Sequence, residues 1–380
     1  MKVDIVAIRQ QCDAWWRREN AAPLTYFIFP DGDWGRMLPV AKPWMAPQAV
    51  GAWCNWKQEM LFGHAIELTL QSGDDVYVHD AIAFLERYPE VTGYAGAGYP
   101  FLLPGLGPGC LAACISNFAK YVVPTIWFES DQPFEWEQVL RITPASTSPY
   151  LQALYSYFPQ FVARLQPHYV IGMPDLGVGL DTLAALRHAQ TLLFDLYDHA
   201  DTLPVALDNV YVLWQTIYKK ILGIIAPGNH GCYAETMRYL SGAPTHIAYC
   251  DFAAMISPEM FGDYVMPILR REVLPFAGRT VFHLDGPGMI AHLDQICSLD
   301  GIFAVQWVSG AGNPGALSDR WDDLYRSILG HGKRICLAGL GTPDELAAFF
   351  TKFPASEFFV PGTFRSRPEA EAYLRVCRAK

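Results

Sequence analysis

The sequence predicts an α/β protein, a parallel (β/α)8 TIM barrel, and three observations lead there. Short apolar runs alternate with helical stretches, and eight such runs are found along 380 residues. No G-x-G-x-x-G follows the first run, so the fingerprint that would favour a doubly wound open sheet is missing. No Ser/Gly linker and no repeat of fixed period divides the chain. The expected organisation is one barrel domain spanning 1–380, with an N-terminal helical extension and a loop or hairpin insertion near 94–140.

The elements follow in chain order. A polar helix including Asp13–Glu19 precedes the apolar run Leu24–Phe29, which Pro30-Asp31-Gly32 stops. The second strand is expected at Val91–Ala97, ahead of a Gly/Pro-rich loop over Tyr94–Gly109. Pro124–Phe128 reads as part of a hairpin continuing past Ser130-Asp131-Gln132-Pro133, and is set aside as an insertion. His168–Met173 is the third strand, ended by Pro174-Asp175. Helical patterns cover Asp181–Asp198 and Thr202–Ile224. Thr245–Cys250 is the fourth strand, and Ser257-Pro258 then starts a helix, serine as cap and proline in the first turn. Thr280–Leu284, Ile302–Val308, Arg334–Ala338 and Glu357–Val360 complete the eight.

Composition narrows the function classes. Hydrophobic residues make up 51% of the chain and charged residues 17%, too apolar a mixture for disorder. With 28 Lys and Arg against 38 Asp and Glu, the net charge of −10 argues against nucleic acid and anionic membranes as partners. No uninterrupted apolar stretch reaches the length of a membrane span; Gln215, Lys219 and Lys220 break the longest candidate. Met1-Lys2-Val3-Asp4 leads into a polar stretch, unlike a secretory signal. The nine cysteines form no Cys-x-x-Cys pair, which fits a reducing compartment, so a cytoplasmic location is expected. No Walker-type loop, H-E-x-x-H or G-x-S-x-G occurs.

In a parallel barrel the chemistry sits where strands end. Asp31 and Asp33 follow the first strand, Asp175 the third and Asp251 the fourth. The fifth delivers His283-Leu284-Asp285-Gly286, the sixth Gln306-Trp307, and the eighth ends in Pro361-Gly362-Thr363. Carboxylates converging on one face repel each other and need a cation, hydroxyl donors or shared protons. Each Asp alone could equally cap the next helix. His283 and Asp285, two apart on a strand, point to the same side and suit a metal pair or an acid–base pair. Trp307 reads as pocket wall or core. His292 and Asp294 fall in a helical stretch, away from that pair or behind it.

Several of these residues carry a resemblance. Asp251-Phe252 with Ile256-Ser257-Pro258-Glu259-Met260-Phe261 and Met266-Pro267 resembles a stretch of the uroporphyrinogen decarboxylase superfamily. Val281-Phe282-His283-Leu284-Asp285-Gly286 resembles its fifth strand, and Val360-Pro361-Gly362-Thr363 its eighth. The likeness runs from about Trp15 to Arg375 and implies a (β/α)8 barrel. It also implies one of two activities: cofactor-free decarboxylation of porphyrinogens, or zinc-dependent methyl transfer between a corrinoid protein and a thiol. The methyltransferases carry His-x-Cys on the fifth strand and Gly-Cys after the eighth. Here Asp285 and Thr363 replace both thiolates.

Four functions follow in order of expectation. The first is a methyltransferase-type enzyme acting on a small molecule or a corrinoid partner, with zinc or another divalent metal on His283 and Asp285, and Asp251 and Asp175 in support. The second is a metal-free lyase or hydrolase of a neutral, cationic or polyhydroxylated molecule. It would use a His/Asp acid–base pair, with Trp307, Tyr249, Asp31 and Thr363 contacting substrate. A non-catalytic binder and a porphyrinogen decarboxylase come last. One Arg beside two Asp, in Pro30–Arg36, is the wrong sign for a polyanion.

Overall fold

The computed structural model of the chain describes residues 3–45, 61–104, 107, 109–116, 119–122, 125–128, 130, 132–146 and 148–379. It is a mixed α/β fold built on a seven-stranded, mainly parallel sheet. The strands are β1 (Leu24–Pro30), β2 (Thr92–Gly96), β3 (Phe101–Leu102), β4 (Ala119–Val122), β5 (Thr125–Phe128), β6 (Val170–Ile171), β7 (Tyr233–Ala234), β8 (Leu240–Ser241), β9 (His246–Ala248), β10 (Thr280–Asp285), β11 (Ile302–Val308), β12 (Arg334–Leu337) and β13 (Phe358–Thr363). The main sheet has the order β2-β1-β13-β12-β11-β10-β9, and its hydrogen-bonded ladder does not close among the described residues.

All eight expected strands are present, but the second runs the other way. β2 pairs antiparallel with β1, Tyr26 opposite Gly96 and Pro30 opposite Thr92. The parallel strand that follows is β3, inside the stretch read from sequence as loop, and it pairs with β6, Phe101 opposite Val170. Glycine permits the close pairing. Gly96 has φ +65°, and a Cβ there would lie 2.1 Å from Thr25 Oγ1, so only glycine lets β2 close onto β1. The insertion hairpin also differs from expectation. Thr125–Phe128 pairs with the preceding Ala119–Val122, not with residues after 133.

Alternation along the strands divides the core in two. Tyr26, Phe101, Val170, Val281, Ala304, Cys336 and Phe359 belong to one buried cluster. Their strand neighbours Phe27, Leu102, Ile171, Phe282, Val305, Ile335 and Val360 pack in the other, against the helices. Runs apolar on both faces are what a helix-covered parallel sheet requires. Cys336 is buried on the inner face, and the eight described cysteines are all buried.

The helix α1 (Ile5–Trp16) lies across the N-terminal ends of these strands. Asp4 caps it, its carboxylate accepting from Ala7 N at 3.1 Å. The helix ends at Trp16 rather than continuing to Glu19. Trp15 and Trp16 meet Phe303 at ring-centroid distances of 5.0 and 4.7 Å. The predicted helix over Asp181–Asp198 is two helices, Leu180–Arg187 and Ala189–Asp198. His188 breaks it with φ +62°, its Nε2 lying 2.6 Å from Ser130 O. No helix among the described residues is long and apolar enough to cross a membrane.

Candidate functional site

β10 carries His283 and Asp285 on the face opposite Phe282 and Leu284, which are fully buried among the helices. The chain leaving β9 adds Tyr249 and then Asp251, at the start of a short 3-10 turn, Asp251–Met255. The result is a cluster. One ligand atom each from Asp251, His283 and Asp285 lie within 4.8 Å of one another. His283 and Asp285 are half-buried and Asp251 is exposed at the rim.

The turn bearing Asp251 is held from two sides. Asp181 accepts hydrogen bonds from the backbone N–H of Asp251 at 3.0 Å and of Phe252 at 2.8 Å. His292 lies behind it, buried rather than on the surface, with Nε2 2.9 Å from Ala253 O and its ring stacked on Phe261. Asp181 was not foreseen as part of this site. It follows Gly179, a turn residue, and read as ordinary helix. Its signal was position alone, in the first turn of a helix that starts after the third expected strand.

A second pair sits beside the cluster. The Tyr249 hydroxyl donates to Asp175 Oδ1. The Tyr249 ring stands edge-on to His283, centroids 6.4 Å apart. A Cβ at Gly177 would lie 2.4 Å from Tyr249 Oη, so glycine is required where the ring seats itself.

Electrostatics follow from burial. Burial pushes the Asp175 carboxyl up to about 6, against the opposing pull of the Tyr249 hydroxyl and His283. Burial, reinforced by Asp251, pushes Asp181 up to about 7, while the two backbone N–H groups draw it down. Asp251, though exposed by surface area, is partly desolvated by its surroundings. That desolvation raises it, His283 counters, and Asp285 adds to the rise. Glu235, deeply buried, is raised well above the usual range, first by burial and then by Asp175. Asp175 and Asp181 are thereby brought near the range where a carboxyl can hold or yield a proton at physiological pH.

The other expected residues lie elsewhere. Trp307 is 0% exposed and meets Trp321 edge-on at 4.9 Å, so it is core and not a pocket wall. The reason is parity. His283 registers with Gln306 and Leu284 with Trp307, which places Trp307 on the helix side. Asp31 is engaged by Arg367, whose Nη2 is 2.6 Å from Oδ2. Thr363 ends β13, exposed, opposite Ile28 of β1.

The class these features define is a mixed α/β protein whose carboxylate–histidine cluster sits where its parallel strands end. No family model matches the chain, and no curated protein matches it in sequence. Among solved structures, a methyltransferase from Methanosarcina mazei is similar, with a TM-score of 0.54 over 98% of each chain at 13% sequence identity. At that identity the likeness speaks for the fold.

Proposed function

We propose that the protein is an enzyme of methyltransferase type, acting on a small molecule or on a methyl group delivered by a corrinoid partner. Asp251, His283 and Asp285 would hold a divalent cation. Their convergence within 4.8 Å is the observation that carries the reading. Two carboxylates and an imidazole make a harder donor set than thiolates, suited to zinc or another divalent ion. When bound, such an ion lowers the pKa of a nucleophile and polarises an oxygen. The chain's own residues supply the rest. Asp181 fixes the Asp251 turn, and the Asp175–Tyr249 pair keeps a proton beside His283. Asp31 and Thr363 stand at other strand ends, where a substrate would enter. The likeness to a methyltransferase supports the reaction class.

The fold belongs to this proposal as well. The seven-stranded sheet and the β3–β6 pair read as parts of one barrel wall. The support is that Tyr26, Phe101, Val170, Val281, Ala304 and Phe359 share one buried cluster. Side chains from both ends of an open, flat sheet would not meet.

A second reading rests on Asp175. A carboxyl raised to about 6 beside a tyrosine and a histidine suits metal-free acid–base chemistry on a neutral, cationic or polyhydroxylated substrate.

The deciding experiment is metal content by mass spectrometry, on protein purified without added metal and after incubation with zinc, beside His283→Ala. Near-stoichiometric divalent metal in the wild type and its loss in the variant is the expected result. Wild type that stays metal-free in zinc would sink the metal reading and leave the acid–base one.

A further inference from the structure

We propose that Gln306 is a positioning residue that sets which ring nitrogen His283 presents to Asp251 and Asp285. For its effect on metal affinity, the proposal rests on the cation reading above. Its structural content does not.

Gln306 lies on β11 directly across from His283 in the parallel register, only 5% exposed. Its Oε1 is 2.5 Å from His283 Nδ1. An amide oxygen only accepts, so Nδ1 must carry the hydrogen. The other end of the amide is set by a third residue. Gln306 Nε2 is 3.0 Å from Met237 Sδ. A thioether has no hydrogen to give and is a weak acceptor, so it takes the NH2 side of the amide and not the carbonyl. Reversal would leave the carbonyl oxygen facing sulfur without a donor, in a buried place where that is costly.

The chain of consequence runs from sulfur to ring. Met237 orients the amide, the amide puts the hydrogen on Nδ1, and Nε2 is left with its lone pair. Neutral histidine in water favours the opposite tautomer, with hydrogen on Nε2. Gln306 therefore enforces the less common form, the one in which Nε2 can ligate a cation or take a proton.

The test uses the intact protein labelled with 15N-histidine, metal-free and at alkaline pH, where an imidazole is neutral. Long-range proton–nitrogen correlation reports the tautomer, and loss of a signal in His283→Ala assigns it. Wild type and Gln306→Glu, which keeps an acceptor, should show Nδ1–H. Gln306→Met, near in size but with no strong acceptor, should shift to Nε2–H or a mixture. So should Met237→Leu, which leaves the amide free to reverse and stands in if Gln306→Met does not fold. Zinc titration supplies the second readout. Gln306→Met should weaken binding by about 10- to 100-fold, and Gln306→Glu should restore it to within a few-fold of wild type. A wild-type ring protonated on Nε2, or a tautomer unmoved in both Gln306→Met and Met237→Leu, overturns the proposal. Wild type that binds no zinc overturns the cation reading instead, while the tautomer still decides the role of Gln306.

Discussion

At the N-terminal ends of β11, β12 and β13 a buried cation is held by the chain's own groups. Arg334, 1% exposed, donates from Nη1 to Trp15 O at 2.9 Å and to Asn20 Oδ1 at 2.7 Å. Its Nε lies 3.2 Å from Glu357 Oε2. Lys333 beside it donates to two backbone carbonyls, those of Leu299 and Ile302, both at 2.8 Å. Trp15, Trp16 and Phe303 close over this end. At the opposite ends of β9 and β10, charges of one sign gather instead. Asp251 and Asp285 stand by His283, and Asp175 and Asp181 are driven upward by burial. One end of the strands pairs its two buried cations with acceptors of the chain itself. The other holds carboxyls in raised, repulsive surroundings, a cost to stability that a ligand would offset.

That contrast can be broken at either end. The largest effect is expected at the sealed end. Trp15→Ala removes a fully buried ring that contacts Trp16 and Phe303, and should cost about 3–5 kcal/mol in denaturant unfolding. Zinc stoichiometry of the folded fraction should not change. If it collapses along with stability, the two ends are not independent.

A smaller effect, of characteristic pH dependence, is expected at the open end. The folded Asp175 carboxyl titrates at about 6 against an ordinary 3.8, so the folded state binds this proton more tightly than the unfolded chain. Its contribution is therefore most favourable below pH ~4 and is lost as pH rises to ~6. The loss is on the order of 1–3 kcal/mol. Asp175→Asn can still accept from Tyr249 but does not titrate, so metal-free variant protein should lack that part of the decline. Parallel pH–stability curves for the two proteins would remove Asp175 from the strained set.

The smallest effect sharpens the inner and outer faces. Trp307→Phe should cost about 1–2 kcal/mol through lost packing on Trp321. Zinc affinity should stay at the wild-type value. A fall in affinity like that of His283→Ala would put Trp307 back in the site.

Much of this was legible beforehand because strands obey a short rule. Apolar runs bounded by Pro, Gly and Asp located all eight expected strands, and the two-residue period put His283 and Asp285 on one side of β10. Ser257-Pro258 announced its helix, and Ser257 Oγ does accept from Met260 N at 3.2 Å. Strand direction was less legible, since an apolar run reads the same both ways, and β2 runs antiparallel to β1. The side that Trp307 takes was hidden too. It depends on register with β10, which is a relation between two strands and not a property of either.

The local pattern of the chain thus determined which segments form strands, where each ends, and that several ends carry carboxylates, because those depend on residues near in sequence. Only the tertiary structure decided that Asp251 joins His283 and Asp285, that Asp181 braces the turn from a separate helix, and that Gln306 and Met237 orient the imidazole. Those contacts span from 23 to 71 residues. They arise only when packing brings distant segments together, and no local periodicity encodes them.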